Sequence, residues 1–124
     1  MYKILVVDDE ERIADITEKF LQMNGFDILK ATGGEEAIRL LSTDAEFDLM
    51  VLDMKMPDAN GLAVIRKKTE LGKKFPLLLL TGSIDAEKYL KVLKEEGVTE
   101  EDILYKPVDL FVLLEKVRKK LNIA

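Results

Sequence analysis

Short apolar runs alternate with amphipathic stretches five times along the chain, and few architectures accommodate that pattern. Tyr2 to Val7 reads as a strand that stops at Asp8-Asp9-Glu10. From Glu11 to Asn24 the apolar residues Ile13, Ile16, Phe20, Leu21 and Met23 recur near a 3.6 period, and Gly25 follows as a stop. Phe26 to Ala31 is a shorter, more polar run suited to a sheet edge. After Thr32-Gly33-Gly34, the segment Glu35 to Ser42 puts Ala37, Ile38 and Leu41 on one helical face, with two acids in its first turn. Leu49 to Leu52 is a fully apolar strand ending in Asp53, and a turn through Gly61 leads to a helix over Leu62 to Leu71. Leu77 to Leu80 is the fourth strand. Ala86, Tyr89, Leu90 and Leu93 then mark a helix capped by Ser83 and stopped by Gly97. Ile103 to Tyr105 is the last strand, and Asp109 caps a closing helix carrying Leu110, Leu113, Leu114, Val117 and Leu121.

Strands that read as unbroken apolar runs are buried on both faces, which places them in a parallel sheet with helices on either side. The expected fold is therefore α/β, a single doubly wound five-stranded parallel sheet. A chain of 124 residues suits one domain with its own core. It has no Cys and no His, which removes disulfides, thiolate or imidazole metal ligands and any histidine base. A net charge of −5 offers no basic stripe for nucleic acid. No apolar run nears the roughly 18 residues of a membrane span, and no signal peptide opens the chain, so a cytoplasmic location is expected.

In open α/β sheets ligands bind beyond the carboxyl ends of the strands. Four strands here end on polar groups at that edge: Asp8 and Asp9, Asp53, Thr81, and Lys106. Each has an ordinary explanation as a cap, a turn residue or a solvated lysine. Together they form a set suited to phosphate and metal chemistry. Carboxylates brought close repel by several kcal/mol at an effective dielectric of about 20, and a hard divalent cation such as Mg²⁺ relieves that repulsion. A carboxylate attacks phosphorus to give an acyl phosphate, while a cation and a lysine offset charge on the transferred group.

The motifs Ile4-Leu5-Val6-Val7-Asp8-Asp9-Glu10, Asp53-Met54-Lys55-Met56-Pro57 with Gly61, Leu80-Thr81-Gly82 and Lys106-Pro107, in this order, resemble the response-regulator receiver domains of two-component signalling. The resemblance covers essentially the whole chain. It implies a flavodoxin-like (βα)5 fold with strand order 2-1-3-4-5, and a receiver domain over 1–124 with no effector domain. It further implies that Asp53 is the phospho-acceptor, taking its phosphoryl group from a sensor histidine kinase or phosphotransfer protein. Asp9, Asp53 and the backbone carbonyl of Lys55 would ligate Mg²⁺, with Asp8 acting through a bound water. Lys106 would pair with the phosphoryl oxygens, and Thr81 would swing inward to meet them.

Such a protein is a phosphoprotein of a phosphorelay rather than an enzyme acting on other molecules. Its output would go to a downstream protein target, with the chain a monomer or a phosphorylation-dependent dimer. The resemblance places that output on the helix after Ser83, the last strand and the helix after Asp109, with Tyr89, Lys91 and Phe111 exposed.

Two positions depart from the family pattern. Ile103 stands where an aromatic residue is usual, three before Lys106, and Tyr105 shares its strand parity without being an equivalent switch. The segment from Gly97 to Lys106 is also longer than usual. Lys55 would lie over the acid pocket and set the lifetime of the phosphoryl group. Two alternatives have a different chemistry. A haloacid-dehalogenase-like phosphatase needs a second Asp two residues after the nucleophile, where this chain has Lys55. A pseudo-receiver that only binds partners would not need the acid, threonine and lysine set.

Overall fold

Leu, Ile and Val dominate the strands, and parallel pairing buries both of their faces. The structure, a computed structural model, describes residues 1–56 and 60–123, so Pro57 of the turn motif lies outside the described residues. Its elements run β1 (Lys3–Val7), α1 (Glu11–Met23), β2 (Asp27–Ala31), α2 (Gly34–Leu41), β3 (Leu49–Asp53), α3 (Gly61–Glu70), β4 (Leu77–Thr81), α4 (Ser83–Glu95), β5 (Ile103–Tyr105) and α5 (Leu110–Lys120). The strands form one parallel sheet in the order β2-β1-β3-β4-β5. Fold and strand order are those the sequence led us to expect.

Alternation along each strand divides the core in two. Leu5, Val7, Met50, Leu52, Leu79 and Ile103 pack with residues of α2, α3 and α4. Ile4, Val6, Leu49, Val51, Leu80 and Leu104 face the other way and meet Leu21 of α1 and Leu113, Leu114 and Val117 of α5. By this parity Asp53 and Lys106 continue the rows that face α1 and α5. Thr81 and Tyr105, which are register partners, continue the rows that face α4.

The helix ends follow local chemistry. The Asp109 carboxylate accepts the amide protons of Phe111 and Val112, as expected of a cap. Asn60 does the same for Ala63 at the start of α3. α4 begins at Ser83 itself with Gly82 in the cap position, one residue earlier than a Ser83 cap requires. The long segment before β5 is taken up by a 3-10 turn, Glu100–Asp102, in which Thr99 and Asp102 cap one another reciprocally. Asp102 also pairs with Lys120 of α5.

The face of α1 differs from the sequence reading. Ala14, Thr17 and Leu21 are its buried residues, whereas Ile13 is 43% and Ile16 53% exposed. Small side chains let the helix lie close to the sheet, and the larger isoleucines are rotated outward.

Candidate functional site

The carboxyl edge of the sheet gathers its polar residues from four adjacent strands, β1, β3, β4 and β5. β1 runs out at Val7, and the Asp8 amide still donates to Ala31 O at 3.0 Å, extending the β2 pairing by one residue. The Asp8 carboxylate accepts the Glu10 amide at 2.9 Å, an Asx turn that fixes the side chain before α1 begins. Asp53 is the last residue of β3 and only 1% exposed. One carboxylate oxygen each from Asp8, Asp9 and Asp53 lies within 4.8 Å of the others. From the far side, Nζ of Lys106 reaches Oδ1 of Asp53 at 2.8 Å. Lys106 is itself held by its amide, which donates to Thr81 O at 2.9 Å across β4 and β5.

Gly61, the first residue of α3, packs closely on the end of β3. Its amide donates to Met54 O at 2.7 Å. A Cβ there would stand 2.9 Å from Met54 Cα and 3.3 Å from Asp53 O, so only glycine permits this approach.

Burial dominates the electrostatics. It pushes the Asp8 carboxyl up to about 6; the Glu10 amide opposes this, the Asp53 charge adds to it, and Lys106 opposes it. Burial also raises Asp53, against the hydrogen bond and charge of Lys106 and the Lys55 amide. Lys106 is raised on balance, because Asp53 and the charges of Asp8 and Glu10 outweigh its own partial burial. One lysine thus faces three carboxylates and leaves negative charge uncompensated. An all-oxygen donor set with excess negative charge fits a hard divalent cation.

The remaining expected residues are near but turned aside. The Thr81 side chain is buried at the adjacent strand end, and its hydroxyl donates to Gly82 O at 3.2 Å rather than to an acid. The Lys55 amide donates to Asp53 Oδ1 at 3.4 Å while the residue is exposed. Ile103 is buried, and Tyr105 is half-exposed beside Ala86 and Leu90 of α4. Phe111 contacts Phe20 of α1 edge-to-face at 5.5 Å, which directs it toward α1 rather than the α4 side. The sequence reading missed the anchoring role of the Glu10 amide, although an Asp three residues before the first helical residue is its signal.

Known proteins resemble this chain in sequence and in fold. The family described as response regulator receiver domain matches residues 4–118. The alkaline phosphatase synthesis transcriptional regulatory protein PhoP of Bacillus subtilis is 38% identical over 105 residues, which is 85% of this chain and 42% of that protein. The response regulator SaeR of Staphylococcus aureus is 38% identical over 81 residues, covering 65% of this chain and 35% of its own length. The chain therefore spans less than half of these curated relatives. Among solved structures, a response regulator receiver domain protein from Clostridium thermocellum superposes with a TM-score of 0.87 at 28% identity, covering 98% of this chain and 95% of that one. The chemotaxis protein CheY4 of Vibrio cholerae gives 0.84 at 30% identity, with 98% and 99% covered.

Proposed function

The chain belongs to the response regulator receiver domain family of two-component systems, and from that premise we propose that residues 1–124 act as one phospho-receiver with Asp53 as the acceptor. The observation that carries this reading is the sealed Asp53 carboxylate paired at 2.8 Å with Lys106 beside two further carboxylates. A carboxylate oxygen of Asp53 attacks the phosphorus of a phosphohistidine on a histidine kinase or phosphotransfer protein. The P–N bond breaks, and the imidazole leaves with the electron pair and takes up a proton. Since these residues include no His, the donor phosphohistidine lies outside them.

Asp9, Asp53 and the Lys55 backbone carbonyl would hold Mg²⁺, with Asp8 beside them. The ion would supply charge to offset the phosphoryl oxygens. Lys106 is poised to follow those oxygens from its place on Asp53. The Thr81 hydroxyl, released from Gly82 O, would donate to the transferred group. The chain is a signalling module whose product is its own modified surface, addressed to a downstream protein target.

The test is an intact mass after incubation with Mg²⁺ and acetyl phosphate, beside Asp53→Asn. One phosphoryl adduct that needs both Mg²⁺ and Asp53 is the expected result. Absence of an adduct, with Mg²⁺ binding measured separately, would leave a phosphorylation-independent interaction module.

A further inference from the structure

The amino edge of the sheet, at the opposite end of the strands from the acids, holds a polar cavity of its own. Its volume is about 270 Å³, and Lys68, Lys74 and Lys120 line it together with Phe75, Glu96 and Asp102. β4 starts at this cavity, with Leu77 in its wall, and ends in Thr81 at the carboxyl edge, so the two sites lie a strand length apart.

The charges in the cavity do not balance. Asp102 is paired with Lys120, and Glu96 has Arg66 at 4.0 Å. Lys68 and Lys74 belong to no ion pair among the described residues. Lys67, in the same last turn of α3, pairs with Glu70 and complements the helix dipole, an ordinary use of a lysine at a helix end. Lys68 instead folds under that end, with its ammonium 4.8 Å from the centre of the Phe75 ring and 3.1 Å from Lys73 O. A ring face and a carbonyl supply only partial negative charge, and burial holds the Lys68 ammonium below the ordinary lysine pKa. A cation that has given up part of its water and gained no counter-charge favours an anion in the space beside it.

We propose that this cavity binds a phosphate group, as the free ion or as a monoester, on Lys68 and Lys74. Two uncompensated lysines match a group that is largely dianionic near neutral pH. The cavity is smaller than the roughly 300–1,000 Å³ of sites for drug-sized ligands, which limits the occupant to the phosphate and a few further atoms. The proposal does not depend on the phosphotransfer reading, because the cavity shares no residue with the acid site.

Amide NMR of the full chain, titrated with inorganic phosphate and separately with O-phosphoserine, tests the proposal in the presence of a chelator and at constant ionic strength. Saturable shifts centred on the amides of Lys73, Lys74, Phe75, Gly97 and Val98 are expected, with half-saturation on the order of 1–10 mM. Lys68→Met keeps an unbranched stem on Phe75 and should weaken binding by roughly tenfold or more, as loss of a charged hydrogen-bond donor does. Lys74→Gln, at an exposed position, should weaken it several-fold and carries the test if Lys68→Met does not fold. Lys67→Gln should leave it unchanged. Tighter binding of O-phosphoserine identifies the ligand as a monoester and tighter binding of phosphate as the free ion, and either result upholds the site. Shifts centred on Thr81 and Lys106 would put the anion at the acid edge and overturn the proposal. Shifts that chloride reproduces without saturation, or equal losses in Lys67→Gln and Lys68→Met, would overturn it too. Acetyl phosphate labelling of Asp53 in Lys68→Met reports the acid site separately and should proceed as in the parent chain.

Discussion

The Lys106 ammonium stands 2.8 Å from Asp53 Oδ1, although the lysine side chain is 37% exposed and the aspartate 1%. The pair is thus open on one side and sealed on the other. A cation fixed by an exposed stem follows a charge that changes size, whereas the carboxylate beneath it stays in place. Replacing Lys106 with Met should leave Asp53 buried without its cation and raise its pKa further. The expected outcome is a loss of at least about tenfold in the rate of Mg²⁺-dependent phosphorylation by acetyl phosphate, with the fold retained. Intact mass over time, beside a circular dichroism melt, reads both.

Asp8 makes stability depend on pH. Its carboxyl is raised from 3.8 to about 6 in the folded chain. Between those values the folded state holds a proton that the unfolded state has released, so stability falls as pH rises through about 6. Asp53 is shifted in the same direction, and the acids titrate together. In the presence of a chelator, the melting temperature should be a few degrees higher at pH 5.5 than at pH 7.5, an effect of about 1 kcal/mol, because most of the two-unit linkage is released below pH 5.5. Asp8→Asn should flatten that dependence, and Mg²⁺ should restore stability at the higher pH.

Gly61→Ala tests the close approach under the acids. The new methyl would stand 2.9 Å from Met54 Cα and 3.3 Å from Asp53 O, both backbone atoms that cannot yield without moving β3. A cost of roughly 1–3 kcal/mol in urea unfolding is expected. Weakened Mg²⁺ binding should accompany it, because Asp53 moves with its own backbone.

Asp102 joins the turn before β5 to α5. It accepts the Thr99 amide at 2.9 Å and pairs with Lys120. Burial works against its charged form, but these partners outweigh burial and hold the carboxyl below its ordinary value. Its stabilisation is present above the unfolded pKa and is lost as pH falls through the lower folded value. Asp102→Ala should cost about 1–2 kcal/mol near neutral pH. The difference from the parent chain should shrink in strongly acid solution, as paired denaturation curves at the two pH values would show.

The alternation of apolar and amphipathic segments was enough to read the five units, because period 2 and period 3.6 patterns survive in the bare sequence. The gathering of Asp8, Asp9 and Asp53 was legible for the same reason, since strand ends of a parallel sheet share one edge. Orientation was not. Ile13 and Ile16 fit a helical stripe as well as Ala14 and Thr17 do, and only the spacing between helix and sheet decides which stripe is buried. Phe111 is exposed, as the sequence leads one to expect, but its aromatic partner is on α1 and not on α4. The shape of the segment before β5 combines a local cap between Thr99 and Asp102, three residues apart, with the pairing of Asp102 and Lys120 across 18 residues of chain, and no local pattern reveals the second.

The parity of the strands gives the site two audiences. Asp53 and Lys106 continue the rows that look toward α1 and α5, whereas Thr81 and its register partner Tyr105 continue those that look toward α4. The Lys106 amide on the Thr81 carbonyl is the stitch between them. The edge therefore has a hold on both faces of the sheet, on one set of helices through the acid and its lysine and on the opposite set through the threonine and the tyrosine.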